Sequence, residues 1–156
     1  SRTGCNIQPE TAVALAKNVR NIVGIKEASG DMSYAMKIAR CVGPDFALYS
    51  GNDDITVPLM SVGGSGVISV YANVMPAMCH QIVADFLGGN QAQAVANHLK
   101  YLQLMNDLFL EVNPIPAKAA MNMMGLDVGP MRLPLCEMGE ANAATLRRTL
   151  EEAGLL

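Results

Sequence analysis

One amine in this chain stands where covalent chemistry is possible. Lys26 lies near the C-terminal end of the run Ile22-Val23-Gly24-Ile25-Lys26-Glu27-Ala28, which breaks into Ser29-Gly30-Asp31. A run rich in β-branched residues followed by such a break reads as a strand and a turn feeding a helix. Alternation then groups Ile22, Gly24, Lys26 and Ala28 on one face and Val23, Ile25 and Glu27 on the other. Gly24 is expected to leave room beside the lysine stem. An ammonium among apolar neighbours is costly to keep charged, and the neutral amine that results attacks carbonyl carbon. The same spacing also suits a lysine that lays its stem along a strand end and keeps its head in water.

Other residue types offer less. Cys5, Cys41, Cys79 and Cys136 are widely spaced, form no CxxC, and have only His80 and His98 as companions. That pattern argues against a zinc site or a disulfide framework and for a reduced intracellular setting. Gly63-Gly64-Ser65-Gly66 precedes a strand and no Lys-Ser/Thr follows, so it reads as a tight turn and not as a phosphate cradle. The formal charge is −3, with no basic run interleaved with aromatics, which argues against nucleic acid as a partner. Half of the residues are hydrophobic and only 16% are charged, yet no apolar run is long enough to span a membrane. The surplus apolar surface is expected to meet protein, in a buried parallel sheet or at subunit contacts.

The elements that must position the lysine follow from the chain in order. Pro9-Glu10-Thr11 opens a helix whose apolar stripe is Ala12, Leu15, Ala16 and Val19. After the lysine strand, Asp31 caps a helix with an inner face of Ala35, Ile38, Ala39 and Val42, stopped by Gly43-Pro44. A second strand runs from Phe46 to Gly51, a helix from Ile55 to Val62, a third strand from Val67 to Val70, and a fourth helix from Pro76 to Leu87. This alternation predicts right-handed βαβ units around a parallel sheet. From Asn90 the pattern becomes all-helical, with helices over Gln91 to about Leu110, Ile115 to Met124 and Glu140 to Ala153. The methionines there, Met121, Met123 and Met124 among them, read as core or interface filler. Two regions are therefore expected, 1–89 and 90–156.

With these residues placed, the chain resembles the second half of the dihydrodipicolinate synthase (4-hydroxy-tetrahydrodipicolinate synthase) family of bacterial type. The similarity is carried in order by Ser1-Arg2-Thr3-Gly4, Gly24-Ile25-Lys26-Glu27-Ala28, Ser50-Gly51-Asn52-Asp53 and Gly66-Val67-Ile68-Ser69-Val70, then by Asn113-Pro114-Ile115-Pro116-Ala117-Lys118 and Arg132-Leu133-Pro134-Leu135. The resemblance implies an α/β fold, strands six to eight of a (β/α)8 TIM barrel with their helices plus a C-terminal helical extension. It also implies condensation of pyruvate with L-aspartate 4-semialdehyde in lysine and diaminopimelate biosynthesis. Lys26 would form the Schiff base, Arg2 would orient the semialdehyde carboxylate, and Gly51 and Ile68 would line the pyruvate pocket. No metal or organic cofactor is implied. The partners implied are the N-terminal half of the same barrel and further copies of the chain in a tetramer, with no nucleic acid or membrane and a cytoplasmic location.

The family's proton-relay and carboxylate-clamp residues belong to the barrel's first half, and Tyr34, Tyr49, Tyr71 and Tyr101 do not sit in those motifs. The segment alone is thus expected to be inactive and to be completed by a preceding stretch. Two other readings stand beside this one: another pyruvate-dependent class I aldolase, such as an N-acetylneuraminate lyase or a keto-deoxy sugar acid aldolase, and a non-catalytic fragment or subunit of such an assembly.

Overall fold

The structure is a computed structural model that describes residues 3–156. Its contacts group the chain into two units that divide between Ser69 and Val70, earlier than the change of character at Asn90.

The first unit opens with helix α1 (Pro9–Asn18), which has proline in its first turn, Glu10 at the positive end of its dipole and Lys17 at the negative end. Of its expected stripe, Ala12 is buried and Ala16 and Val19 are half-buried, whereas Leu15 is exposed. Strand β1 (Gly24–Glu27) leads through a turn to α2 (Met32–Cys41). The Asp31 carboxylate accepts from the amides of Ser33 (2.8 Å) and Tyr34 (3.2 Å), the predicted cap, a contact worth about 1 kcal/mol. Strand β2 (Ala47–Ser50), a 3-10 turn over Asp53–Ile55, the short helix α3 (Thr56–Met60) and strand β3 (Gly66–Val67) complete the unit.

All pairings are parallel and the sheet order is β1-β2-β3, so each strand lies beside its neighbour in sequence. The third strand is shorter than the expected Val67 to Val70. The amide of Ile68 still donates to Ser50 O at 2.8 Å, but Val70 has helical dihedrals and the chain turns away there. The glycine stretch before β3 is the tight turn foreseen: Gly63 has φ +98°, and a Cβ on Gly64 would lie 2.8 Å from Leu59 O.

The two faces of the sheet differ. On one, Leu48 packs with Ala35 of α2 and Leu59 of α3 into a buried cluster, with Ile25, Met32, Ala39 and Val62 around it. On the other, Lys26 is exposed, Tyr49 is 36% exposed and Ile68 is 49% exposed. Helices α2 and α3 therefore cover one face and leave the lysine face open. A doubly wound sheet carries helices on both faces, whereas a barrel wall carries them only outside.

The second unit starts with a 3-10 turn over Tyr71–Asn73 and continues with α4 (Pro76–Leu87) and α5 (Gln91–Lys100). These two helices pack as a hairpin about Gly88-Gly89, with Gly89 at φ +87°. That packing explains why the contacts join Pro76–Leu87 to the helical region instead of leaving it with the sheet. The long helix expected from Gln91 to Leu110 is broken: Tyr101 (φ −105°, ψ 10°) separates α5 from α6 (Leu102–Asp107). At the break the Tyr101 ring is buried 6.3 Å from that of Tyr71. Helices α7 (Ile115–Met123) and α8 (Glu140–Glu152) follow, and α6 and α7 both pack on α8. Asp107 is buried there with both carboxylate oxygens matched, one by Gln103 Nε2 (2.9 Å) and one by Thr149 Oγ1 (2.6 Å). Met121, Met123 and Met124 are only half-buried, so they do not fill the core of this chain. No helix among the described residues is long and apolar enough to cross a membrane.

Leu48 is 1% exposed at the centre of the sheet cluster. Leu48→Ala is expected to destabilise the protein by about 2–5 kcal/mol, measurable as a shift of the urea unfolding midpoint at unchanged slope.

Candidate active site

Parallel strands place their carboxyl ends at one edge, and the residues of interest collect there. Lys26 sits opposite Tyr49 in the register of β1 with β2, and Tyr49 sits opposite Gly66 in the register of β2 with β3. The lysine and the tyrosine are thus neighbours on the uncovered face, one strand apart. Ile68 follows β3 on the same side by alternation.

Gly51 closes the approach between β1 and β2. Its amide donates to Glu27 O, and a Cβ built on it would lie 2.5 Å from Ala28 Cβ, 2.8 Å from Lys26 Cε and 2.9 Å from Glu27 O. Only glycine fits this spot. The expected partner was Gly24, and here the structure corrects the sequence reading. A Cβ on Gly24 would meet Ala47 O at 2.7 Å and Ala47 Cβ at 3.1 Å, so Gly24 serves the packing of the two strands and Gly51 makes room for the lysine stem.

The loops after the strands are tied by short-range hydrogen bonds. Glu27 Oε1 accepts from the Ser29 amide (2.7 Å), and Ser29 Oγ accepts from the Asp31 amide (3.0 Å), linking the lysine strand to the cap of α2. After β2, Ser50 Oγ donates to Asn52 O (2.6 Å), while Thr56 Oγ1 donates to Asp53 O (2.9 Å). The Ser69 hydroxyl donates to the Asp53 carboxylate, joining the ends of β2 and β3.

A cavity of about 150 Å³ adjoins this edge, lined by Cys5, Asn6 and Ile7, by Ile25 to Ser29, and by Tyr34. The Tyr34 hydroxyl donates to Ile7 O. Partial burial pushes the Tyr34 phenol above its ordinary range, and the carboxylates of Glu27 and Glu10 add to the effect by repelling a phenolate. A larger concavity of about 750 Å³ lies against α1 and α2 and contains none of the predicted site residues. Its lining mixes apolar residues with Glu10, Ser33, Lys37 and Arg40 along the outer sides of the two helices, away from the carboxyl edge of the sheet.

Of the residues expected at the site, Lys26, Gly51 and Ile68 stand at the carboxyl edge of one sheet, and Arg2 lies outside the described residues. Lys26 is exposed, and among the described residues no helix of the first unit covers its face of the sheet. Reasoning from sequence missed three things: Tyr49 as the neighbour of Lys26, Glu27 as the anchor of the following turn, and the Asp53–Ser69 link. Strand register supplies the first, and no sequence signal announced the last. Among the described residues no group of three or more His, Cys, Asp or Glu is arranged to hold a metal ion.

Parallel strands with helices on one face and a lysine at the carboxyl edge match the arrangement in the wall of a β/α barrel. Comparison with known proteins narrows this. The model of the dihydrodipicolinate synthetase family matches residues 1–153. A 4-hydroxy-tetrahydrodipicolinate synthase of Thermoanaerobacter sp. is 50% identical over all 156 residues, which correspond to 52% of that protein. The crystal structure of dihydrodipicolinate synthase from Thermotoga maritima superposes with a TM-score of 0.95 at 43% identity, covering 99% of this chain and 53% of its own. The chloride-inhibited enzyme from Acinetobacter baumannii, solved with pyruvate, gives 0.92 at 38% identity over 97% of this chain and 52% of its own. The chain belongs to the dihydrodipicolinate synthetase family, and it spans about half the length of the curated relatives it matches.

Two outcomes test this geometry. Gly51→Ala should part the ends of β1 and β2 at Ala28 and push Lys26 Cε aside, visible in a crystal structure of the variant; unchanged positions of both would contradict the packing described. Because the folded phenol of Tyr34 titrates above its unfolded value of about 10, its contribution is fully present below that pH and is lost as pH rises through the folded value. Tyr34→Phe should therefore flatten the alkaline limb of a stability-against-pH curve.

Proposed function

We propose that this chain forms strands six to eight of a (β/α)8 barrel with a C-terminal helical extension. In that barrel Lys26 condenses with pyruvate so that the resulting enamine attacks L-aspartate 4-semialdehyde. The observation that carries this reading is the position of Lys26: the carboxyl edge of a parallel strand, on the face that helices leave open, in a chain of this family. Barrel active sites occupy that edge and that face. Support for pyruvate comes from the Acinetobacter baumannii relative, whose structure holds it.

The chemistry follows from the amine. Neutral Lys26 Nζ adds to the ketone carbon of pyruvate, the carbinolamine loses water, and an iminium forms. Its positive nitrogen draws electrons from the methyl carbon, which gives up a proton to become an enamine. The enamine carbon bonds to the aldehyde carbon, and the aldehyde oxygen takes a proton. Nitrogen of the semialdehyde then closes on the imine carbon, and Lys26 is released as the ring forms. Every electron pair in this sequence comes from the amine or the substrates, so the reading includes no cofactor.

Gly51 gives the lysine stem its space, and Ile68 supplies an apolar wall beside the ketoacid. Arg2 is assigned to the semialdehyde carboxylate, a task for which a planar guanidinium is suited. The rest of the ring of strands comes from the remaining half of a protein as long as the relatives, and its closure over the open face removes Lys26 from bulk water. We assign the assembly to the lysine and diaminopimelate pathway in the cytoplasm, as a homotetramer.

Pyruvate and borohydride added to the intact protein are expected to give a stable mass increase on Lys26, located by peptide mass spectrometry. Lys26→Ala should remove the adduct with the circular dichroism spectrum unchanged. An adduct that survives this substitution would move the site elsewhere.

A further inference from the structure

Glu27 follows the lysine directly, yet its side chain is on the opposite, helix-covered face and is only 2% exposed. Burying a carboxylate is costly unless donors match it. Glu27 is half-matched: Oε1 accepts from the Ser29 amide at 2.7 Å, while Oε2 is buried with no hydrogen-bond partner among the described residues. Asp107 in the second unit shows the contrasting case, a buried carboxylate with a donor on each oxygen. A buried carboxylate matched on one oxygen only costs stability that an apolar side chain of similar shape would not cost.

What its bonds accomplish is geometric. The side chain pins the Ser29 amide where the chain leaves β1, and the main-chain carbonyl of the same residue accepts from Gly51. These two bonds fix Ala28-Ser29 and Gly51, the backbone segments on either side of Lys26, whose closeness is set by Gly51 having no Cβ. Ser29 in turn holds the Asp31 amide, so the turn is anchored at both ends.

We propose that Glu27 is a positioning residue that fixes where the Lys26 amine stands, acting through the Ser29 amide. The inference rests on the reading of Lys26 as the imine-forming residue. The test uses the intact protein with pyruvate as the probe, following the borohydride-trapped adduct on Lys26 against time. Glu27→Gln keeps an acceptor for the Ser29 amide, whereas Glu27→Met fills the same space with none.

Both variants should fold, with the Met variant forming adduct roughly tenfold to a hundredfold more slowly and the Gln variant recovering most of the rate. The proposal is overturned by a wild-type rate in the Met variant or by a Gln variant as slow as Met. A Met variant that cannot fold while the Gln variant does would also overturn it, making Glu27 a folding element. Wild-type protein that forms no adduct at all sinks the imine reading and this proposal with it; the other outcomes sink this one alone.

Discussion

The hydrogen bond from the Gly51 amide to Glu27 O holds together the ends of two strands at a separation where no side chain fits between them. Much of the first unit is arranged around that closeness. It sets the register that puts Lys26 beside Tyr49, and it requires glycine at the start of the Ser50-Gly51-Asn52-Asp53 turn. It also leaves the lysine stem bounded by backbone on one side, where rotamers of a mobile side chain are reduced.

Parallel pairing gives this arrangement its direction. All strand ends point one way, so loops that follow each strand gather at one edge, and each is tied by its own short hydrogen bonds: Glu27 to Ser29, Ser50 to Asn52, Ser69 to Asp53. The helices that return the chain cover only the Leu48 face. Apolar side chains there are packed and dry, while on the lysine face Lys26, Tyr49 and Ile68 stay exposed. The division of labour between faces is the period-two alternation of a strand put to use.

Much of this was legible in order along the chain. Asp31 as a cap, Pro76 to Leu87 as a helix closed by glycines, and Ala35 and Ile38 as an inner face all follow from local rules, because capping, proline geometry and helical spacing act over a few residues. The failures share a different origin. Leu15 is exposed although its spacing is apolar, and the helix from Gln91 breaks at Tyr101 although its pattern continues, since in both cases the partner surface decides. Gly24 and Gly51 look alike in sequence, and only the lateral approach of β2 tells which one faces the lysine.

The sequence by itself determined most element types, the place of the lysine near the end of its strand and the family, for these rest on residue identity and short spacing. Tertiary structure decided which side chains became neighbours: that Lys26 pairs with Tyr49, that Glu27 is buried behind it, and that among the described residues no helix of the first unit covers the lysine face. The physical reason is that register and face coverage depend on contacts between segments far apart in the chain, and no local pattern encodes a distance across a sheet.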